Sequence, residues 1–302
     1  GAVFWDIIQP AFMFMVGVAM PFALAKRVSQ GASHGDNLRH VVVRSVRLIV
    51  LSQILMWVGR GRVTPQLINV LSQIAFTYFL CFFIMQWRWR YQVAAAIGLL
   101  VFWTALLFIF PGPDGPFSKT ASVGLVVDRA IFHYDYDPAY STLNFIPSTV
   151  WTLAGVWAGR LLMNARSHAP SLKVLAGGML LSFTLGLALR PWIPMIKQLC
   201  TPSFIFYSLG WVLFMLIGFY CLVEIRGYKR AVFPLVVLGM NSIFIYSLGQ
   251  LLHGWLDRAV SVFTFRFAFL GTFGPVAQSC AVLLIMWYLC YWLYQRKIFL
   301  KV

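Results

Sequence analysis

Nine stretches of this chain are apolar over close to the length a helix needs to cross a bilayer. They run roughly over 3–25, 41–59, 67–86, 92–110, 144–163, 174–190, 203–223, 232–253 and 275–294. A hydrocarbon core takes about 20 apolar helical residues. A soluble domain has nowhere to hide so many: 61% of the residues are hydrophobic and 11% are charged, against about 25% charged in ordinary soluble proteins. Hydrocarbon offers no partner to an open backbone, so each run must close its hydrogen bonds internally, which a helix does. The expectation is an all-α fold, a polytopic transmembrane helix bundle with about nine spans, forming one domain over 1–302. Gly17, Pro21, Gly155, Gly159 and Gly239 inside the runs agree with it, because small residues let membrane helices approach closely.

The charges sit between the runs. Net charge is +16, with 24 Lys and Arg, and sixteen of the 24 fall in one alternating set of gaps plus the tail. The positive-inside rule then places the C-terminus in the cytoplasm and Gly1 outside. In a soluble chain such a charge would suggest nucleic acid, but neither a zinc-finger nor an RNA-binding signature occurs, and the expected partner is the lipid bilayer. Five scattered cysteines without a CxxC pair read as small buried hydrophobes, with no disulfide framework and no metal site. The longest gap, 111–143, falls on the outer side. It carries Asp114, Asp128, Asp135 and Asp137, and its length points to a functional loop packed over the outer mouth of the bundle.

Polar residues inside apolar runs are the candidate site residues, and each admits two readings. Asp6, with Pro10 one turn on, is either an interfacial carboxylate paired with a cation or a site residue at the outer mouth. Asn241 and Ser242, in PLVVLGMNSIFIYS, are either interhelical glue or the polar lining of a ligand cavity. Arg44 and Arg47 share a helix face and either snorkel to lipid phosphate or clamp the phosphates of a nucleotide-bearing donor. His133 lies in the outer loop beside Asp135 and Asp137, either as a structural residue or as a general base. His34, His40 and His168 look solvated, and His253 is expected to close a helix.

The order of motifs resembles a known family. WDIIQPAFMFMVGVAMPFALAKR is similar to the Asp-, Pro-, Phe- and Gly-bearing helix of the heparan-alpha-glucosaminide N-acetyltransferase family, which comprises a lysosomal transmembrane acetyltransferase and many bacterial relatives. RVTPQLINVLSQIAFTYFL, VVDRAIFHYDYDP, NFIPSTVWTLAGVWAGRLL, TPSFIFYSLGWVLFMLIGFYCLVE, PLVVLGMNSIFIYS and YQRKIFLKV resemble its later motifs in order, so the likeness spans nearly the whole chain. Two departures stand out. Ser72 and Gln73 replace the usual Gln-Arg, and Ala139 and Tyr140 replace Glu-Gly after YDP.

The resemblance implies acetyl transfer from cytosolic acetyl-CoA, as co-substrate and without a metal, to an amino sugar or other glycan across the cell (plasma or inner) membrane. It carries over Asp6 and Asn241 as catalytic positions, with His133 as the histidine still present in the outer loop. It also carries over Asp128 and Arg129 as an outer-loop pair, and Arg44 for the donor; Arg47, Gln73 and Ser242 are candidate donor-binding residues beside it, read from the chain itself. Asn241 would supply an amide to the oxyanion. The resemblance further implies a catalytic histidine and one more helix before Gly1, about ten helices in all; a homodimer is compatible with it. The departures leave the acceptor open, and with it two other readings: a transporter, or a catalytically silent relative.

Overall fold

The computed structural model describes residues 4–133 and 140–300. Among the described residues eleven α-helices form: α1 (Ile8–Ser29), α2 (His34–Arg60), α3 (Val70–Ile84), α4 (Trp89–Ile109), α5 (Val123–Phe132), α6 (Phe145–Met163), α7 (His168–Leu189), α8 (Pro202–Tyr220), α9 (Lys229–Met240), α10 (Ser242–Thr264) and α11 (Gly274–Gln295). Among the described residues no β-strand forms; the only bridge joins Gly112 to Gly115.

The all-α, membrane-like expectation holds, but the nine spans do not. Among the described residues six helices are long and apolar enough to cross a membrane: Trp5–Ser29, His34–Arg60, Trp89–Ile109, His168–Leu189, Pro202–Ile225 and a continuous Ser242–Gln295, which holds both α10 and α11. Three of the expected spans fail for separate reasons. The run at 67–86 starts late because Asn69, in extended backbone, caps α3 by accepting from Leu71 N at 2.9 Å, leaving 15 helical residues. The run at 144–163 is helical as α6, but it buries Ser148, Thr149 and Thr152 against protein, and a helix walled in by other helices need not be apolar. The run at 232–253 breaks at Asn241, whose backbone (φ −125°, ψ 38°) ends α9 after 12 residues. Residue 253 does not close a helix, since α10 continues to Thr264.

The chain forms two compact units, 1–53 with 64–221, and 54–63 with 222–302. In the first, contacts fix the helix directions. Ser45 Oγ donates to Ala75 O at 3.2 Å and Ser72 Oγ to Ser52 Oγ at 2.7 Å, so α2 and α3 are antiparallel. Gln73 bonds Thr142 while Arg160 bonds Met85, so α3 and α6 run the same way. A β-carbon on Gly17 would strike the Thr152 carbonyl, and one on Gly155 or Gly159 the carbonyls of Phe14 or Val18. Helices α1 and α6 are therefore parallel, and their backbones touch. Trp151 and Trp103, fully buried, tie the core to its surroundings through Nε1 bonds to Ile205 O (3.1 Å) and Leu199 O (2.7 Å).

The second unit centres on Leu248, Leu256, Val282 and Met286 from α10 and α11. Gln278 holds the link between them by donating to Asp257 O at 2.9 Å and Asp257 Oδ1 at 3.1 Å, while Thr264 Oγ1 donates to its Oε1 at 2.6 Å.

Candidate functional site: a basic helix end

The expected site residues of the first unit separate to its two ends. Helix α1 alone carries the chain about 30 Å from Asp6 to Arg27 at the usual rise per residue.

At the Asp6 end, Lys197 Nζ lies 3.1 Å from Asp6 Oδ1, and both side chains are largely buried. The carboxylate in the first apolar run is thus ion-paired, with a lysine from the 191–201 segment. That segment is fastened to the bundle by Asn144 Nδ2, which donates to Gln198 O at 2.7 Å, and is held in shape by Thr201 Oγ1, which donates to Pro194 O at 2.8 Å. Cys200 lies within it, buried, and burial pushes its thiol up to about 12, so it stays protonated and inert.

The outer loop packs onto the same end. Asp128, on the inward face of α5, accepts from Thr142 N at 2.8 Å through Oδ2, while its Oδ1 is buried without a partner. Burial holds its carboxyl above the usual aspartate range, against the lowering effect of the Thr142 bonds. Arg129 points outward and donates to Thr120 O at 3.1 Å. His133 ends α5 in a left-handed turn (φ 50°) and is exposed. Asp135 and Asp137, expected beside it, lie outside the described residues. Gln73 belongs here too. Its Nε2 donates to Thr142 O at 2.9 Å, nine positions and about 13 Å along α3 from Phe82 at the opposite end. Sequence reasoning assigned Gln73 to the donor alongside Arg44; the structure places it beside the outer loop.

Arg44 lies toward the other end, over Tyr78, and Arg47 sits at mid-length of α2; the end itself holds groups that sequence reading missed. Where α1 ends and α2 begins, Arg27, Asn37, His40, Tyr78, Phe82 and Met85 line a narrow pocket. Arg27 Nε donates to Asn37 Oδ1 at 2.9 Å. The Arg44 guanidinium lies over the Tyr78 ring, 4.8 Å from its centroid, and its Nε is buried without a hydrogen-bond partner. His40 lies in the field of Arg27, Arg44 and Arg47 together. Asp36 is the nearby carboxylate, but it caps its own helix by accepting from Ser33 N (2.9 Å) and Ser33 Oγ (2.6 Å). Among the described residues no carboxylate pairs with these cations. The signal was in the sequence: Asn37, His40, Arg44 and Arg47 recur at three- and four-residue intervals, one face of a helix. The interior of the pocket, ≈20 Å³, holds about one water, so an anion would sit at its mouth.

In the second unit Asn241 is fully buried and engaged at both ends of its amide. Nδ2 donates to Ile298 O and Oδ1 accepts from Leu300 N, both at 3.2 Å. It pins the C-terminal segment to the break between α9 and α10. Ser242 is the first residue of α10 and half-buried. Among the described residues no group of His, Cys, Asp or Glu side chains could hold a metal ion.

Compared with known proteins, the chain matches no family model and no curated protein.

Proposed function

We propose that the chain is a multi-pass membrane acyltransferase that moves an acetyl group from cytosolic acetyl-CoA to an amino sugar or other envelope glycan on the far side. One observation carries the reading: Arg27 and His40 line a pocket where α1 meets α2, Arg44 follows one turn after His40 on the same helix face, and the one nearby carboxylate, Asp36, is turned to Ser33. Coenzyme A is a long, flexible molecule with its phosphates at the end remote from the thioester. Guanidinium groups suit those phosphates because their donors form short, charge-assisted bonds. The motif order of the sequence supports the same reading, and the basic end is the one the positive-inside rule turns to the cytosol.

The chemistry is a nucleophilic substitution at the thioester. The acceptor nitrogen or oxygen attacks the carbonyl carbon, the new bond to carbon forms, and the carbon–sulfur bond breaks. A general base takes the acceptor's proton, and the departing thiolate is protonated in turn. At the acceptor end, Asp6, Asp128, Arg129 and His133 are the polar groups on offer, and an imidazole is the side chain suited to exchanging a proton near neutral pH. Met13, Phe14, Trp151 and Leu153 fill the core between the two ends, so transfer requires α1, α3 and α6 to part.

The test is transfer of labelled acetyl from acetyl-CoA in membrane vesicles. Arg44→Ala is expected to raise KM for acetyl-CoA about tenfold, the loss of one charge-assisted contact, with kcat changed less. Vesicles that label no acceptor yet carry a solute across would replace this reading with a transporter.

A further inference from the structure

We propose that the turn between α6 and α7 is a binding site for an anionic phospholipid, held through its phosphate headgroup. An open pocket of ≈430 Å³ lies at this turn, lined by Arg160, Leu161, Asn164, Arg166, Ser167 and Val174 among others. That volume is within the range of small-ligand sites. Its two cations have no ion-pair partner among the described residues.

The two arginines differ in how they are held. Arg160, in the last turn of α6, is half-buried and anchored by a hydrogen bond from one terminal nitrogen to the Met85 carbonyl. That bond uses one of the five guanidinium donors and fixes the plane of the rest. Arg166 is exposed on the turn itself and free to close over a ligand. Asn164 and Ser167 add uncharged polar groups between them. This is a phosphate contact of mixed rigidity, with one guanidinium fixed and one mobile.

The other wall is apolar and continues away from the turn. Leu161 and Val174 line the pocket, Val174 is 59% exposed, and Leu181, two turns further along α7 on the same face, is equally exposed. Gly177 lies between them with open space where a side chain would be. A free phosphate would use only the cationic half of this surface. A phospholipid uses both, headgroup at the turn and acyl chain along α7. The site is on the same side of the unit as Arg27 and His40, since Met85 lines their pocket and also accepts the Arg160 bond. Under the positive-inside orientation that side meets the leaflet in which anionic lipids attract basic segments.

The inference does not depend on the acyltransferase reading. It is tested by native mass spectrometry of the full chain in detergent, with added phosphatidylglycerol, phosphatidylcholine or inorganic phosphate. One phosphatidylglycerol is expected to be retained at least tenfold more strongly than phosphatidylcholine. Arg166→Ala, at an exposed position that folding does not need, should abolish most of that preference, and Arg166→Lys should restore part of it. Arg88→Ala, which removes a charge of the same sign outside the pocket, should leave it unchanged. Equal retention of the two lipids, an equal loss with Arg88→Ala, or full displacement by inorganic phosphate would each overturn the assignment.

Discussion

Asp128 shows how a single buried group can report on the packing around it. One of its oxygens accepts from the Thr142 backbone at 2.8 Å; the other is sealed from water with no partner. Burial disfavours the charged form and raises its pKa, and hydrogen bonding to Thr142 offsets only part of that. The sign of the consequence follows from linkage. The unfolded chain gives up this proton near pH ~3.9, whereas the folded protein holds it to higher pH. Stability therefore falls as pH rises from about 4 through the folded value, and stays flat above it. Asp128→Asn keeps an oxygen for Thr142 N and removes the titration. Its melting temperature in detergent is expected to be level across that window and no lower than wild type near neutrality. A variant that retained the wild-type slope would show that another group titrates there. Asn241 makes the complementary point. Its position inside an apolar run marked it as polar and buried, which it is. The partners, two backbone groups of the tail some 57 and 59 residues away, follow from the tail's path and not from local sequence.

At the scale of elements, the α1–α6 pair carries the most exacting contact in the first unit. Gly17, Gly155 and Gly159 let two parallel helices meet backbone to backbone, and a β-carbon at Gly155 would overlap the Phe14 carbonyl. Backbone cannot yield as a side-chain tip can, so Gly155→Ala should force the helices apart at a cost of about 3 kcal/mol, the upper range for overpacking. Gly177, also mid-helix, has open space where its side chain would be. Gly177→Ala should be neutral or stabilising by up to ~1 kcal/mol through helix propensity alone. Thermal unfolding of the two variants in detergent checks the contrast; comparable losses would mean that the close approach is not what the glycines provide. These glycines were legible as helix-contact residues because small side chains in apolar runs have few other uses. Which runs would span was less legible. Hydropathy measures transfer to lipid, and α6 faces protein, where Ser148, Thr149 and Arg160 find partners in a way that no window average registers. The end of α9 was hidden for a similar reason, because Asn241 breaks the helix through contacts made with a distant segment.

At the scale of the molecule, basic groups concentrate toward one side of the first unit. That side holds Arg27 and His40, with Arg44 deeper along α2 and Arg160 and Arg166 nearby; the other holds the Asp6–Lys197 pair, Asp128, Arg129, Gln73 and Asn144. Sequence spacing exposed the first group in part, since α2 alone repeats its polar residues on one face. It could not join Gln73 to Asp128, because both reach the Thr142 backbone only when the outer loop folds back on α3. An uneven distribution of Lys and Arg sets membrane orientation, with the basic loops retained in the cytoplasm. The α1–α2 turn should therefore face the cytoplasm and the Gly112–Ser122 segment the opposite side. Single cysteines at two exposed positions, Gln30→Cys and Lys119→Cys, placed in a Cys280→Ser background to remove an exposed native thiol, test this directly. A membrane-impermeant maleimide applied to intact cells or spheroplasts should label Lys119→Cys, and should reach Gln30→Cys only after the membrane is opened. The reverse pattern would place the Arg44 cluster away from cytosolic acetyl-CoA. That result would remove the basis for a cytosolic donor site even if the cluster still bound phosphate.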